Sequence, residues 1–153
     1  MSRPIVSALV VTYHTGPRLR ECLYALMGDG QVSEIVVVDN GNPPQEAEWL
    51  DVKAAEGGKL RLSRPRENLG FGMACNLAAR EATGNLLLFI NPDAVMKRGS
   101  VAALVHAGAN RKAPWLVGGR IFDLAGRESR GCRRRKLTLA RALGLGRWTL
   151  DRT

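Results

Sequence analysis

The run Leu86-Leu87-Leu88-Phe89-Ile90 ends abruptly on Asn91-Pro92-Asp93-Ala94, and no other stretch narrows the possible folds of this chain so far. Five bulky apolar residues in succession, opened by Gly84-Asn85, read as a strand buried on both faces, like the central strands of a parallel sheet. Whatever follows such a strand lies at the sheet's carboxyl edge, where open α/β sheets bind their ligands. Asp93, set by Pro92 in an extended or turn geometry, therefore stands where a carboxylate meets a ligand or a metal. Asn, Pro and Asp are also ordinary turn formers, and that reading stays open here.

The remaining pattern fits a sheet of this kind. Ile5–Thr12 is a nearly continuous apolar run, after which Pro17 opens a helical pattern through Leu19, Cys22, Leu23 and Leu26 that stops at Gly28 and Gly30. Glu34–Asp39 reads as a second buried strand, closed by the turn chemistry of Asn40-Gly41-Asn42-Pro43-Pro44 and followed by a polar helix to about Glu56. Lys59–Ser63 reads as a short third strand, a Gly-rich loop at Asn68–Gly72 leads to a helix over Met73–Ala82, and a further helix fits Gly99–Ala109. Strands are expected around Gly118-Gly119, at Trp115–Val117 and Arg120–Phe122. Strands alternating with helices imply a mostly parallel sheet flanked by helices.

With 153 residues, the chain can bury a core without disulfides or metal staples. Cys22, Cys75 and Cys132 are odd in number and lack paired spacing, which argues against a disulfide framework or a zinc site. No apolar run approaches a membrane span, and Ile5–Tyr13 lacks the pattern of a signal peptide, so the expected location is cytoplasmic. The net charge of +9 is uneven: Met1–Gly119 carries 13 Lys/Arg against 11 Asp/Glu, whereas Arg120–Thr153 carries 10 against 3. We therefore divide the chain into 1–126 and a basic, partly helical segment 127–153, with a helix expected around Thr138–Leu143. Arg133-Arg134-Arg135-Lys136, with interspersed leucines after it, fits a solvated face, an anionic membrane surface at the inner side of a membrane, or a nucleic-acid patch.

Gly70-Phe71-Gly72-Met73-Ala74-Cys75 imitates the opening of a dinucleotide-binding fingerprint, with Asp93 about 20 residues further on. Cys75 replaces the third glycine, and the first strand-helix junction has no glycine triplet, which weighs against it. Asp39 and Asp93 end two strands, and in a parallel sheet both strand ends point to one side. Asp39 is placed to accept hydrogen bonds from a base or ribose, and Asp93 to hold a hard divalent cation together with phosphate oxygens.

Four motifs in order, Val10-Val11-Thr12-Tyr13, Val36-Val37-Val38-Asp39-Asn40, Glu67–Asn76 and Phe89–Ala94, resemble the donor half of family 2 glycosyltransferases, over about Ile5 to Arg135. The Asn-Pro-Asp in place of Asp-x-Asp is most similar to the rhamnosyltransferase-like branch. The resemblance implies a GT-A fold, a nucleotide-diphospho-sugar donor, a divalent metal (Mg²⁺ or Mn²⁺), and inverting transfer of a sugar such as rhamnose to a glycan or lipid-linked acceptor. It further implies that Thr12 and Tyr13 line the nucleobase pocket, that Asp39 bonds the base or ribose, and that Asn68 and the Gly70–Phe71–Gly72 loop shape the donor site with Asn76 in support. Asn91 takes the first acidic position of Asp-x-Asp, and Asp93 coordinates the metal. His14 stands where the family usually has Asn. The late acids Asp123, Glu128 and Asp151 form no motif like the family's acceptor-side base, so the expectation is a C-terminally incomplete, donor-binding part. The alternative is a noncatalytic nucleotide-sugar binder or a basic nucleic-acid-associated α/β module, nucleic acid being the less expected partner.

Overall fold

The computed structural model describes residues 5–129. Strands and helices alternate as β1 (Val6–Thr12), α1 (Arg18–Met27), β2 (Val32–Asp39), α2 (Pro44–Ala55), β3 (Leu60–Ser63), α3 (Gly70–Glu81), β4 (Leu86–Ile90) and α4 (Ser100–Ala109). The four strands form one all-parallel sheet in the order β3-β2-β1-β4. Pro17 caps the start of α1, and the amide of Gly28 closes its end on the Tyr24 carbonyl at 3.0 Å. Residues up to Trp115 form one compact unit and those from Leu116 a second.

Handedness decides which face each helix covers. From β1 through β2 to β3 the chain steps in one direction across the sheet, so right-handed crossovers put α1 and α2 on the same face. The step from β3 to β4 runs back past β1, which sends α3 to the opposite face. The cores follow this division. Leu19, Cys22, Leu23 and Leu26 of α1, Leu50 of α2 and Val101 of α4 pack with Ala8, Val10, Ile35 and Val37. On the other face, Ala74 and Ala78 bring α3 close to Leu9, Val11, Val36 and Val38. Each fully buried Val or Leu adds roughly 1.5–3 kcal/mol in transfer free energy, so the first face carries most of the stabilisation.

Three expectations need correction. Among the described residues the Leu86–Ile90 run is not a central strand buried on both faces but lies at the edge of the sheet, paired with β1. Leu86, Leu88 and Ile90 pack into the first core, while Leu87 (44% exposed) and Phe89 (51%) alternate onto the α3 face, where α3 lies over β1 and β2. The strands expected around Gly118-Gly119 do not form among the described residues. Leu116 and Ile121 are exposed, and a single antiparallel bridge joins Phe122 to Glu128 across a turn that Asp123 ties by accepting from the Ala125 and Arg127 amides at 2.9 Å each. Trp115 instead packs on α4, where Gly108 leaves no room for a Cβ. Finally, α3 starts at Gly70 rather than Met73, so the Gly-rich stretch is the first turn of a helix and not a loop ahead of one. Cys132, Arg133–Lys136 and the helix expected at Thr138–Leu143 lie outside the described residues. Among the described residues no helix is long and apolar enough to cross a membrane.

The amino end of the sheet is closed by one carboxylate. Glu34, 9% exposed, accepts through Oε1 from the Ser7 hydroxyl, the Thr83 amide and hydroxyl and the Gly84 amide, and through Oε2 from Arg61 at 3.3 Å. Burial pushes its pKa up, but the bonds from Ser7, Thr83 and Arg61 outweigh burial and bring it from 4.5 down to about 2. Gly84 is required here because a Cβ would collide with the Ser7 hydroxyl and the Ile5 carbonyl.

Candidate functional site

The strand order reverses at β1, whose neighbours β2 and β4 are reached by crossovers of opposite direction. The carboxyl edge at that reversal, beyond β1 and β4, is where an open α/β sheet takes ligands. A cleft of about 560 Å³ lies there, lined by Val11, Tyr13, His14, Thr15, Asn40, Asn68, Gly70, Phe71, Asn91, Pro92 and Asp93. That volume suits a small-molecule ligand.

Amide side chains build one wall. Asn40, buried just past β2, donates from Nδ2 to Asn68 Oδ1 at 2.7 Å and accepts the Leu69 amide at 2.9 Å. Asn68 Oδ1 also takes the Gly70 amide at 2.8 Å. The two side chains stitch the end of β2 to the start of α3, and Gly70, with φ of +71°, allows the turn between them. Phe71 follows at the lip and remains exposed.

Asp39 plays a different part from the open-cleft carboxylate beside it. It is 2% exposed, and its Oδ1 accepts from the Gly41 amide (3.1 Å), the Asn42 amide (2.9 Å) and Asn42 Nδ2 (2.9 Å). Its Oδ2 accepts from Arg64 Nε at 2.9 Å, while Arg64 Nη1 reaches Asp51 at 3.0 Å. Asn42 passes the order on, donating to Thr12 Oγ1 at 3.0 Å and accepting the Thr15 amide at 3.3 Å. Thr12 and Thr15 hydroxyls are 2.9 Å apart. A second cleft of about 310 Å³ adjoins the first across Asn40 and Asn68, and Asp39, Arg64 and Arg66 line it. The two strand-end acids thus face neighbouring clefts rather than one.

Asp93 is exposed, and its carboxylate takes no hydrogen bond or ion pair among the described residues. Its loop is anchored from below: the Ala94 amide donates to the Asn91 carbonyl at 3.1 Å, and Cys22 Sγ of α1 donates to the same oxygen at 3.6 Å. Burial, with the negative charge of Asp93 adding to it, pushes the Cys22 thiol up to about 12, so it stays protonated and serves as a donor. Among the described residues no three His, Cys, Asp or Glu side chains gather as a self-sufficient metal cage. A lone, uncommitted carboxylate fits a cation such as Mg²⁺ or Mn²⁺, which is commonly held by one or two carboxylates plus substrate phosphates.

The sequence model of glycosyl transferase family 2 matches residues 7–137. The chain belongs to this family. Glycosyltransferase GlyG of Streptococcus pneumoniae is 24% identical over 115 residues, which cover 74% of this chain and 38% of GlyG. A mannosyltransferase from Pyrobaculum calidifontis, solved with GDP-Man and Mn²⁺, superposes with a TM-score of 0.64 at 28% identity, over 71% of this chain and 33% of that one. S. aureus TarS superposes with a TM-score of 0.58 at 25% identity, over 69% of this chain and 20% of TarS. The chain therefore spans well under half the length of these relatives, and its parallel sheet flanked by helices is GT-A-like.

Within this family 2 chain, Tyr13, Asn68, Gly70, Phe71, Asn91 and Asp93 line the larger cleft. Thr12 is fully buried, bonded to Asn42 and off the cleft surface, and Asp39 lines the smaller cleft. Asn76 lies on α3, exposed and lining neither cleft. Residue patterns did not single out Arg64, which meets Asp39 across 25 residues, or the bonds from Asn42 to Thr12 and Thr15, which span 30 and 27. Asn40 was legible only as the neighbour of Asp39.

Proposed function

We propose that this chain binds a nucleotide-diphospho-sugar donor in the cleft at the β1/β4 switch point, as the donor-binding part of an inverting glycosyltransferase. The observation that carries this reading is Asp93: an uncommitted carboxylate in the larger cleft, at the sheet edge where the strand order reverses, in a chain of this family. Tyr13 and Phe71 offer aromatic surface to a base or sugar, Asn68 and Asn91 offer amide groups to hydroxyls, and Arg64 and Arg66 line the adjoining cleft. Asp93 would hold Mg²⁺ or Mn²⁺, which when bound stabilises the charge developing on the diphosphate leaving group. The mannosyltransferase solved with GDP-Man and Mn²⁺ supports both the ligand class and the metal.

In the full reaction an acceptor hydroxyl oxygen bonds to the anomeric carbon, the bond from that carbon to the diphosphate breaks, and the hydroxyl proton passes to a base. The described residues supply the donor side of that exchange. Asn-Pro-Asp at 91–93 favours the rhamnosyltransferase-like branch, with a glycan or lipid-linked acceptor on the cytoplasmic side of a membrane, the basic run Arg133–Lys136 contributing affinity for anionic lipid. Calorimetric titration of UDP-, dTDP- and GDP-sugars into the chain, with and without Mn²⁺, tests the central reading. Metal-dependent binding of one donor is the expected result; no binding of any donor in either condition contradicts it. Vesicle flotation tests the membrane reading, which fails if neutralising Arg133–Lys136 leaves binding to anionic vesicles unchanged.

A further inference from the structure

His14 is the only non-glycine among the described residues with a positive φ, at +48°. Such a conformation costs a side chain that is not glycine, and it persists where the surroundings enforce it, commonly at ligand sites. The surroundings here are unusually complete. Thr12 and Thr15 bracket the Tyr13–His14 pair from both sides, and Asn42 bonds to both threonines while being held itself by Asp39. The Tyr13 ring lies close over Gly41, 3.4 Å from where a Cβ would stand, and meets the His14 imidazole edge-on, with centroids 4.5 Å apart at 84°. This stack holds the exposed imidazole at the wall of the larger cleft.

The chemistry of that wall identifies what the imidazole meets. Apart from Tyr13, the ionisable side chains lining the cleft are His14 and Asp93. An anionic ligand in a cleft with an open carboxylate needs a hydrogen-bond donor set apart from it, and imidazole supplies an N–H in either protonation state. We propose that His14 is a specificity-determining residue that recognises the diphosphate of the bound nucleotide. This rests on the donor-site reading and adds to it a residue for the phosphate groups.

The chain has only two histidines, and His106 lies on α4, so each ring can be followed separately. Proton NMR of the imidazole Cε1–H signals, assigned with His106→Gln, would be recorded as UDP, dTDP and GDP are added with Mg²⁺, and again with the matching nucleosides. The diphosphate should move the His14 signal and leave that of His106 in place. His14→Gly, which accepts the positive φ without strain, should weaken diphosphate binding about tenfold or more, as expected for a lost charge-assisted bond, and nucleoside binding by clearly less, while leaving the unfolding midpoint unreduced. Equal weakening for nucleoside and diphosphate, or none for either, overturns the assignment although the donor site stands. If neither nucleotide nor nucleoside binds the unaltered chain, the donor-site reading falls and this inference with it.

Discussion

The two ends of the same parallel sheet hold their carboxylates in opposite ways. At the amino end Glu34 accepts from four donor groups on one oxygen and from Arg61 on the other, gathering the starts of β1, β2 and β3 and the approach to β4. At the carboxyl end Asp93 accepts from no described residue and opens onto a cleft of about 560 Å³. Asp39 lies between these extremes, at the ligand end but saturated from Gly41, Asn42 and Arg64. The difference separates two uses of an acid at a strand end. A carboxylate whose lone pairs are filled by its own chain organises structure, and one left unfilled at a switch point awaits a ligand.

The sharpest way to break this contrast is to neutralise each acid in turn. Asp93→Asn should cost more than about 100-fold in metal-dependent donor affinity, on the scale of losing a metal contact, yet shift unfolding free energy by less than about 0.5 kcal/mol, as for an exposed substitution. Glu34→Gln should do the reverse, lowering unfolding free energy by about 2–3 kcal/mol because an amide leaves several buried donors poorly matched. Urea denaturation and calorimetric titration of both variants read the two effects separately. A Glu34→Gln chain that is as stable as the unaltered one removes the staple from the account.

The pH profile sharpens the same point. Because the folded pKa of Glu34, about 2, lies below the 4.5 of a free carboxyl, its stabilisation is full above about pH 4.5 and is lost as the pH falls toward 2. Denaturation curves of the unaltered chain and Glu34→Gln should therefore converge across that window and run parallel above it. Gly84→Ala should destabilise by roughly 1–3 kcal/mol, since the added methyl meets the Ser7 hydroxyl and the Ile5 carbonyl in a packed turn. Asn42→Ala is the smallest case. Loss of the bonds to Thr12, Thr15 and Asp39 should cost about 1 kcal/mol and weaken nucleotide binding a few-fold by loosening the Tyr13–His14 wall, both visible in the same titrations.

Much of this architecture was readable in the chain because it rests on local chemistry. Apolar runs closed by Asp39-Asn40-Gly41 and Asn91-Pro92-Asp93 mark strand ends, and Pro17 and Gly28 bound α1, each through the backbone preferences of single residues. What escaped depends on position in three dimensions. Leu87 and Phe89 are as apolar as the residues beside them, and only the placement of α3 over β1 and β2 leaves their face uncovered. Arg64 is 25 residues from Asp39, and the strand pairing that brings them together leaves no local pattern. The strands expected around Gly118-Gly119 do not form because apolar residues such as Leu116 and Ile121, which resemble strand residues in the sequence, are exposed.

The most direct test of the central claim is thermal unfolding of the unaltered chain, Asp93→Asn and Glu34→Gln, each with and without Mn²⁺ and the nucleotide sugar found to bind. A ligand at about 100 times its Kd stabilises the state that binds it by ~2.7 kcal/mol. The account predicts this gain for the unaltered chain and for the less stable Glu34→Gln, and none for Asp93→Asn. A gain that survives in Asp93→Asn would contradict it.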